Sequence, residues 1–209
     1  MAVSFDLFGT LVAVDRPADP AAAVGRALAD AGVALPDDWA SAYGESRGSV
    51  PAGSERPLPD RVRAVLASRG VDVPPETVES AVRSAFVDGS TVTSREGARA
   101  AVASAAERGP VGVLSNCSVP GFVEAVLDRS TVDRARFDAV VTSVDCGWRK
   151  PDRRAFLAAA EALDCDPADL VHVGDDPVTD GGVTAVDGEF VFVDEARFAD
   201  RSDAVGGRG

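Results

Sequence analysis

Lysine is almost absent from this sequence. The chain has 21 basic residues, and every one of them except Lys150 is an arginine. An ammonium group is a compact point charge, whereas a guanidinium group is planar, so a single retained lysine indicates a position that arginine cannot fill. Lys150 on its own is also compatible with chance survival, and its meaning therefore depends on the polar residues found elsewhere in the chain.

Basic charge is also scarce relative to acidic charge. The 209 residues include 34 acidic and 21 basic side chains, which gives a formal net charge of −13. Nucleic-acid binding needs a basic face, so we expect no nucleic-acid partner. The acidic residues are dispersed along the chain, and together with the preference for arginine they suggest a halophilic protein adapted to a salt-rich cytosol, where self-repulsion is screened.

Long apolar runs and paired cysteines are missing as well. No apolar stretch approaches the length of a membrane span, so no membrane partner is expected. The first residues lack the basic segment of a signal peptide. The three cysteines form no Cys-x-x-Cys pair, which favours reduced thiols. These absences together predict a cytoplasmic protein.

Five short apolar stretches rich in β-branched residues predict buried strands. They cover residues 2–7, 110–114, 138–142, 170–174 and 189–193. Helical patterns at 119–128, 152–163 and 177–186 separate the last four strands. Alternation of this kind is typical of right-handed βαβ units. We therefore predict an α/β fold with a doubly wound, mostly parallel, Rossmann-like sheet.

Residues 15–92 have a different character. They carry four helical patterns and no clear strand, with Gly32 and Gly70 placed where helix-ending glycines occur. The patterns cover 20–31, 37–47, 58–69 and 74–87. We predict a small α-helical cap domain at 15–92, inserted into an α/β core domain formed by 1–14 and 93–198. The last residues, 199–209, are predicted to be a flexible tail.

Polar residues follow the predicted strands at their carboxyl ends, where an open parallel sheet binds its ligands. Asp6, Ser115, Lys150 and Asp175 all fall at or beside such an end. Together with Asp176 and Asp180, Asp6 and Asp175 would crowd carboxylates into one crevice, where like charges oppose ionisation. Mg²⁺ takes oxygen ligands and would resolve this conflict. The lysine and the hydroxyl group suit an anionic substrate.

Four polar segments follow one another along the chain. They are Phe5-Asp6-Leu7-Phe8-Gly9-Thr10-Leu11, Val113-Leu114-Ser115-Asn116, Lys150-Pro151-Asp152, and Val173-Gly174-Asp175-Asp176 with Asp180. In sequence and order they resemble the four motifs of the haloacid dehalogenase superfamily, a large group of hydrolases with an aspartate nucleophile. The helical insertion also has the position of that superfamily's cap.

The resemblance implies a role for each matching residue. Asp6 would be the nucleophile and a metal ligand, and the main-chain carbonyl of Phe8 would also face the metal. Asp175 would be a further Mg²⁺ ligand, with Asp180 or Asp176 acting behind the ligands. The catalytic set would be Asp6, Lys150 and Ser115, and the substrate would meet Thr10, Ser115, Asn116 and Lys150. The expected substrate is a small phosphorylated molecule, and cap arginines such as Arg16 and Arg47 are candidates to contact it.

Position 8 departs from the pattern of the superfamily's phosphatases, which have a second aspartate there. That aspartate protonates the leaving group, a role worth about 10²–10⁴ in rate, and Phe8 cannot perform it. Three interpretations stay open. The protein is a Mg²⁺-dependent phosphatase, a haloacid dehalogenase, or a non-catalytic module that binds a phosphorylated ligand or a protein. Asp175-Asp176 argues against the dehalogenase, which uses no metal.

Overall fold

The computed structural model describes residues 1–48 and 51–193, with only the backbone of residues 47 and 48. The strands are β1 Ala2–Phe5, β2 Val12–Val14, β3 Val92–Ser94, β4 Val111–Ser115, β5 Ala139–Thr142, β6 Leu170–Gly174 and β7 Glu189–Phe192. The helices are α1 Pro20–Asp30, α2 Trp39–Gly48, α3 Leu58–Ser68, α4 Pro75–Arg83, α5 Ala98–Ala106, α6 Phe122–Arg129, α7 Ser143–Cys146 and α8 Arg153–Ala162. A π-helical turn, Ser84–Asp88, extends α4.

Five parallel strands form the central sheet in the order β5-β4-β1-β6-β7. The chain starts in the middle of this sheet and winds outward in both directions, which confirms the predicted doubly wound α/β fold. All five strands predicted from apolar runs are present, within a few residues of their predicted limits. The three central strands β4, β1 and β6 are buried along their whole length, as expected for parallel strands covered on both faces.

A small antiparallel pair of strands was not predicted. Strand β2 pairs with β3 so that Val14 lies opposite Val92. Each strand has only three residues, too few to give a clear alternating pattern. The pair brings together the two ends of the helical segment 15–92, where the predicted insertion begins and ends. The domain limits themselves stay a prediction.

The four helices predicted between residues 15 and 92 are all present as α1 to α4. Gly32 and Gly70 follow the ends of α1 and α3 with φ of 81° and 75°, the left-handed conformation that ends helices at glycine. Apolar residues of these helices and of one sheet face form one connected cluster. Leu28 and Leu66 belong to it together with Val3 and Phe5 of β1. The helices are therefore packed against the sheet region.

Two details of the core region differ from the sequence prediction. The helix predicted at 177–186 is a 3₁₀ helix limited to Asp180–Val186, because Asp176 and Thr179 form a turn before it. The short helix α7, directly after β5, was also not predicted. The predicted tail 199–209 lies outside the described residues. Within the described ranges, no helix has the length and apolarity needed to cross a membrane.

Candidate active site

Lys150 is buried at the carboxyl ends of the central strands, with 3% of its surface exposed. Its Nζ atom donates to Oδ1 of Asp6 at 2.7 Å and to the carbonyl of Leu114 at 2.8 Å, and it lies 2.7 Å from Oδ1 of Asp180. The ammonium group therefore has three acceptors in different directions. A compact tetrahedral donor meets this arrangement better than a planar guanidinium does, which explains a lysine here in a chain that otherwise uses arginine.

His172 lies next to Lys150 and Asp180. The ring is fully buried on β6, with Nδ1 2.8 Å from Oγ of Ser4 and Nε2 3.2 Å from Oδ1 of Asp180. The tautomer with the proton on Nε2 satisfies both contacts, because it donates to Asp180 and accepts from Ser4. A histidine inside an apolar strand is typical of a buried, hydrogen-bonded core residue, and His172 is one. Nε2 also lies 3.4 Å from Nζ of Lys150, so His172 adjoins both members of the Lys150–Asp180 pair.

The buried charges shift one another's pKa values. Burial raises the pKa of Asp6 to about 6, against the lowering effect of Lys150. Burial and the charge of Lys150 lower the pKa of His172 to about 4, so its ring is neutral at neutral pH. Burial acts to raise the pKa of Asp180, but the hydrogen bond from His172 and the charge of Lys150 hold it well below its usual range. Asp180 is therefore ionised and pairs with Lys150.

Asp175 approaches Asp6 from the end of β6. Its Oδ1 accepts a hydrogen bond from the hydroxyl of Thr10 at 3.2 Å. Gly9 has a φ of 95°, and a Cβ atom there would overlap the Asp175 carboxylate. The glycine after Phe8 is thus required for this close approach. Thr10 is fully buried, and its observed effect is to orient Asp175, while its predicted contact with substrate stays a prediction.

Asp180 and Asp176, the two candidates for the position behind the metal ligands, have different surroundings. Asp180 has its carboxylate against Gly174, where a Cβ atom would clash, and its Oδ2 accepts from the backbone N–H of Asp176. The side chain of Asp176 accepts instead from the backbone N–H of Val178 and from Thr179, as a turn-forming aspartate does. The geometry therefore favours Asp180 over Asp176 for the role next to Lys150.

Asn116 and Ser115 follow β4 and play different parts. The Asn116 amide makes two hydrogen bonds to the backbone of Lys150, at 2.8 Å and 3.0 Å, so it holds the lysine's main chain in place. Ser115 is fully buried, and its hydroxyl has no hydrogen-bond partner among the described residues. A buried hydroxyl without a partner costs about 1–3 kcal/mol, which a bound anion at this strand end would recover.

The carboxylates of Asp6, Asp175 and Asp180 form a cluster whose oxygen atoms lie within 4.8 Å of one another. One lysine cannot neutralise three carboxylates. The remaining negative charge and the all-oxygen donor set fit a hard divalent cation, and Mg²⁺ is the cation that commonly combines one or two carboxylates with water and phosphate. Three of the acidic residues predicted for metal binding, Asp6, Asp175 and Asp180, are thus close together, and the part of the Phe8 carbonyl stays a prediction.

A cavity of about 600 Å³ lies between residues of segment 15–92 and the segments that follow β1 and β4. The carboxylate cluster does not line it, and the cavity meets the site through Phe8 and Asn116, which adjoin the motifs of Asp6 and Ser115. Phe8 and Asn116 belong to its wall, together with Phe86, Phe122 and Tyr43. The ring of Phe8 stacks on Phe122 with centroids 5.5 Å apart, so a position expected to hold a carboxylate presents an aromatic face instead. The volume is typical of small-molecule sites.

Glu55 is a functional candidate that the sequence did not reveal. It lies in the loop before α3, yet its carboxylate is 2% exposed and accepts hydrogen bonds from Ser118 at 3.2 Å, from Ser143 at 2.9 Å and from Arg149. These partners flank the segments that carry Asn116 and Lys150. Glu55 thereby connects segment 15–92 by hydrogen bonds to the loop after β4 and to the loop before α8.

We expect Glu55→Ala to lower the free energy of unfolding by about 2 kcal/mol, because the hydroxyl groups of the buried Ser143 and the half-buried Ser118 lose their acceptor. The loss of the ion pair adds little, since the side chain of Arg149 is 42% exposed. Urea-induced unfolding measures this change. The matched control is Glu45→Ala, since Glu45 pairs with Arg69 at the surface, where such pairs contribute little to stability. Equal stabilities of the two variants would contradict this role for Glu55.

Other residues near the site have structural explanations. Burial raises the pKa of the Cys117 thiol to about 11, so it is a poor nucleophile at neutral pH. Trp148 is covered by the guanidinium of Arg154, 3.2 Å from its ring centroid. Trp39 packs against Tyr43 at a centroid distance of 5.7 Å. The side chain of Arg47, one of the predicted substrate contacts, lies outside the described residues.

Comparison with solved structures gives a dehalogenase and two proteins solved with phosphorylated or phosphate ligands. A 2-haloacid dehalogenase from Pseudomonas syringae pv. Tomato DC3000 has 22% identity and a TM-score of 0.65, with 91% of this chain and 85% of that chain covered. CbbY from Rhodobacter sphaeroides, in complex with xylulose-(1,5)bisphosphate, has 21% identity, coverage of 91% and 84%, and a TM-score of 0.59. A HAD family enzyme from Bacteroides thetaiotaomicron, in complex with magnesium and inorganic phosphate, has 15% identity, coverage of 93% and 94%, and a TM-score of 0.56.

At these identities the structural relatives establish the fold alone. A comparison with curated proteins found no match. A family model described as haloacid dehalogenase-like hydrolase matches residues 1–181, which include all four motifs and the carboxylate cluster. The chain therefore belongs to the haloacid dehalogenase-like hydrolase family.

Proposed function

We propose that this protein is a Mg²⁺-dependent phosphatase that acts on a small phosphorylated metabolite and uses Asp6 as its nucleophile. The observation that carries this proposal is the cluster of Asp6, Asp175 and Asp180 around a single buried lysine. A phosphoryl group brings further negative charge to this place. A site with three carboxylates accepts such a group only together with a cation.

Mg²⁺ would be held by Asp6, Asp175 and the main-chain carbonyl of Phe8, with Asp180 orienting the assembly from behind. When bound, the ion offsets the charge of the phosphoryl oxygens and fixes the phosphoryl group relative to Asp6. The magnesium and phosphate bound by the Bacteroides relative are in keeping with this assignment.

The side chains of this chain would perform the transfer itself. Lys150 binds Oδ1 of Asp6, which keeps the carboxylate oriented and leaves Oδ2 for attack on phosphorus. The P–O bond to the leaving group breaks with its electron pair on the leaving oxygen, and an aspartyl phosphate forms on Asp6. Lys150 and the unpartnered hydroxyl of Ser115 would donate to the phosphoryl oxygens. Water then attacks phosphorus, the P–O bond to Asp6 breaks with its electron pair on the Asp6 carboxylate, and inorganic phosphate leaves with the proton of the water.

The leaving group would depart without a proton from a carboxylic acid. Phe8 occupies the position from which an acid would be expected to act, and among the described residues that line the cavity, Glu55 is the one carboxylate. The Glu55 oxygens already accept from Ser118, Ser143 and Arg149, so they are not directed at a substrate. This arrangement suits leaving groups that are stable as anions.

The ring at position 8 also favours a second candidate, dehalogenation of a 2-haloacid. A halide leaves as an anion and needs no proton, and an aromatic wall suits a carbon–halogen bond. The two candidates differ in their need for metal, because displacement of halide by Asp6 involves no phosphoryl charge. The carboxylate cluster favours the phosphatase.

Metal binding tests the choice between these candidates. We expect Mg²⁺ to raise the melting temperature of the wild type, because ligation relieves repulsion among the carboxylates, and to bind at least about tenfold more weakly to Asp175→Ala. Calorimetric titration with Mg²⁺ measures the binding affinity of the wild type and of Asp175→Ala. Asp176→Ala is the matched control. A wild type that binds no Mg²⁺ and releases halide from 2-haloacids would establish the second candidate instead.

Position 8 gives a prediction about leaving groups. Phe8→Asp should raise hydrolysis of alkyl phosphates by about 10²-fold where proton transfer limits the rate, and should affect aryl phosphates much less. Steady-state rates on both ester classes measure the effect, and Phe8→Leu controls for loss of the ring alone. If the wild type hydrolyses both classes at similar chemical-step rates and Phe8→Asp brings no gain, an acid acts from another residue.

A further inference from the structure

The charges around the cavity contrast with those of the whole chain. The protein carries a net charge of −13, yet the described residues of the cavity wall include three arginines and one carboxylate. These residues are Arg16, Arg61, Arg149 and Glu55. An anionic protein that concentrates guanidinium groups at one concave surface creates a local site for an anion. The phosphoryl group is accounted for by Lys150 and Ser115 at the strand ends, so the arginines face another part of the substrate.

The arginines of the cavity differ in their availability. Arg149 is paired with Glu55, so its charge is already compensated. Arg61 is half-buried on α3. Arg16 is exposed, on the connection between β2 and α1, and it makes no salt bridge within residues 1–48 and 51–193. Arg16 is therefore the cavity arginine whose charge is open to a ligand.

The aromatic pair positions Arg16. Its guanidinium lies over the ring of Phe8, 4.6 Å from the centroid, and Phe8 is itself stacked on Phe122. A guanidinium group that lies over an aromatic ring is attracted to the electron-rich face of the ring. Its N–H donors lie at the edge of the plane and remain available for the paired hydrogen bonds that a carboxylate accepts. The aromatic residue that replaces the expected acid thus supports a cation at the mouth of the site.

We propose that Arg16 binds a carboxylate carried by the leaving group of the substrate, so that the preferred substrate is a phosphate ester with a second, singly charged anionic group. The inference rests on the proposed phosphatase function for the place of the phosphoryl group. A single uncompensated guanidinium matches a single negative charge, and the wall of Phe8, Phe86 and Phe122 suits an apolar body between the two anionic ends.

The experiment measures binding rather than turnover. Three benzylphosphonates that differ in the para substituent are titrated calorimetrically in the presence of Mg²⁺. The substituents are carboxymethyl, its neutral amide carbamoylmethyl, and phosphonomethyl. The proteins are the wild type, Arg16→Gln, Arg16→Lys and the matched control Arg63→Gln, an exposed arginine on α3 outside the cavity.

We expect the wild type to prefer the carboxylate over the amide by about tenfold, as a charge-assisted contact at an exposed site would provide. The preference should disappear in Arg16→Gln, remain in part in Arg16→Lys and be unchanged in Arg63→Gln. A wild type that binds both ligands equally, or binds neither, overturns the proposal, as does a preference that persists in Arg16→Gln. Tightest binding of the phosphonomethyl ligand, lost in Arg16→Gln, would replace the carboxylate by a second phosphate.

The titration together with an assay of aryl phosphate hydrolysis separates this inference from the proposed function. If the carboxylate preference depends on Arg16 but no phosphate ester is hydrolysed, the Arg16 site stands and the phosphatase proposal fails. If aryl phosphates are hydrolysed with Mg²⁺ and the carboxylate brings no preference, the phosphatase proposal stands and the Arg16 site fails.

Discussion

Asp6→Asn should reduce phosphate ester hydrolysis by at least about 10⁴-fold, because an amide oxygen cannot replace the carboxylate as nucleophile. The fold should remain intact, since the asparagine Oδ1 can still accept the hydrogen bond from Lys150.

Burial raises the pKa of Asp6 to about 6 from the ordinary 3.8. The Asp6 carboxyl group thus holds its proton more tightly in the folded protein than in the unfolded chain. The free energy of unfolding therefore falls as the pH rises from 3.8 to about 6. In metal-free buffer at neutral pH the variant should therefore be at least as stable as the wild type.

Steady-state kinetics and thermal unfolding measure these two effects of Asp6→Asn. Asp128→Asn is the matched control, because Asp128 is an exposed carboxylate on α6, and it should change neither quantity. A loss of activity together with a loss of stability would indicate a structural role for Asp6. Retention of full activity in Asp6→Asn would contradict the nucleophile assignment.

Lys150→Met should lower the free energy of unfolding by about 3–5 kcal/mol at neutral pH. The substitution leaves two buried carboxylates, Asp6 and Asp180, close together without the cation that both contact. Activity should be lost as well, because the phosphoryl group loses its donor. Urea-induced unfolding measures the stability, and Arg153→Met, which removes an exposed cation from α8, is the matched control.

The companion variant Lys150→Arg tests why lysine is retained at this position alone. This variant keeps the positive charge, but a planar guanidinium must then donate to Asp6, Asp180 and the carbonyl of Leu114. It must do so in a buried position, since Lys150 is only 3% exposed. We expect an intermediate stability and a strongly reduced rate. If Lys150→Arg matches the wild type in both, the lysine has no geometric requirement and its survival is chance.

The sheet and the site cluster were predictable because they depend on strong local patterns. Buried parallel strands read as continuous apolar runs, and each run marks its own carboxyl end. Asp6, Ser115 and Asp175 follow such ends, so parallel topology alone brings them together. Lys150 was identified by composition, since it is the chain's one lysine.

Other features leave no local signal. Glu55 lies in a loop rich in proline and glycine, and its partners Ser143 and Arg149 are 88 and 94 residues away in sequence. Its role depends on tertiary packing, which periodicity does not encode. The pair β2 and β3 is too short to show alternation. The choice of Arg16 among the arginines of the helical segment likewise depends on the placement of Phe8 and Phe122.

The central claim is covalent phosphoryl transfer to Asp6, and trapping the intermediate tests it most directly. An aryl phosphate is turned over with Mg²⁺, the reaction is quenched rapidly in acid, and the peptide that contains residue 6 is analysed by mass spectrometry. The account predicts a phosphorylated Asp6 during turnover and none when Mg²⁺ is removed or when Asp6→Asn is used. Steady hydrolysis of the same ester with Asp6 unmodified throughout, and with Asp6→Asn equally active, would contradict it.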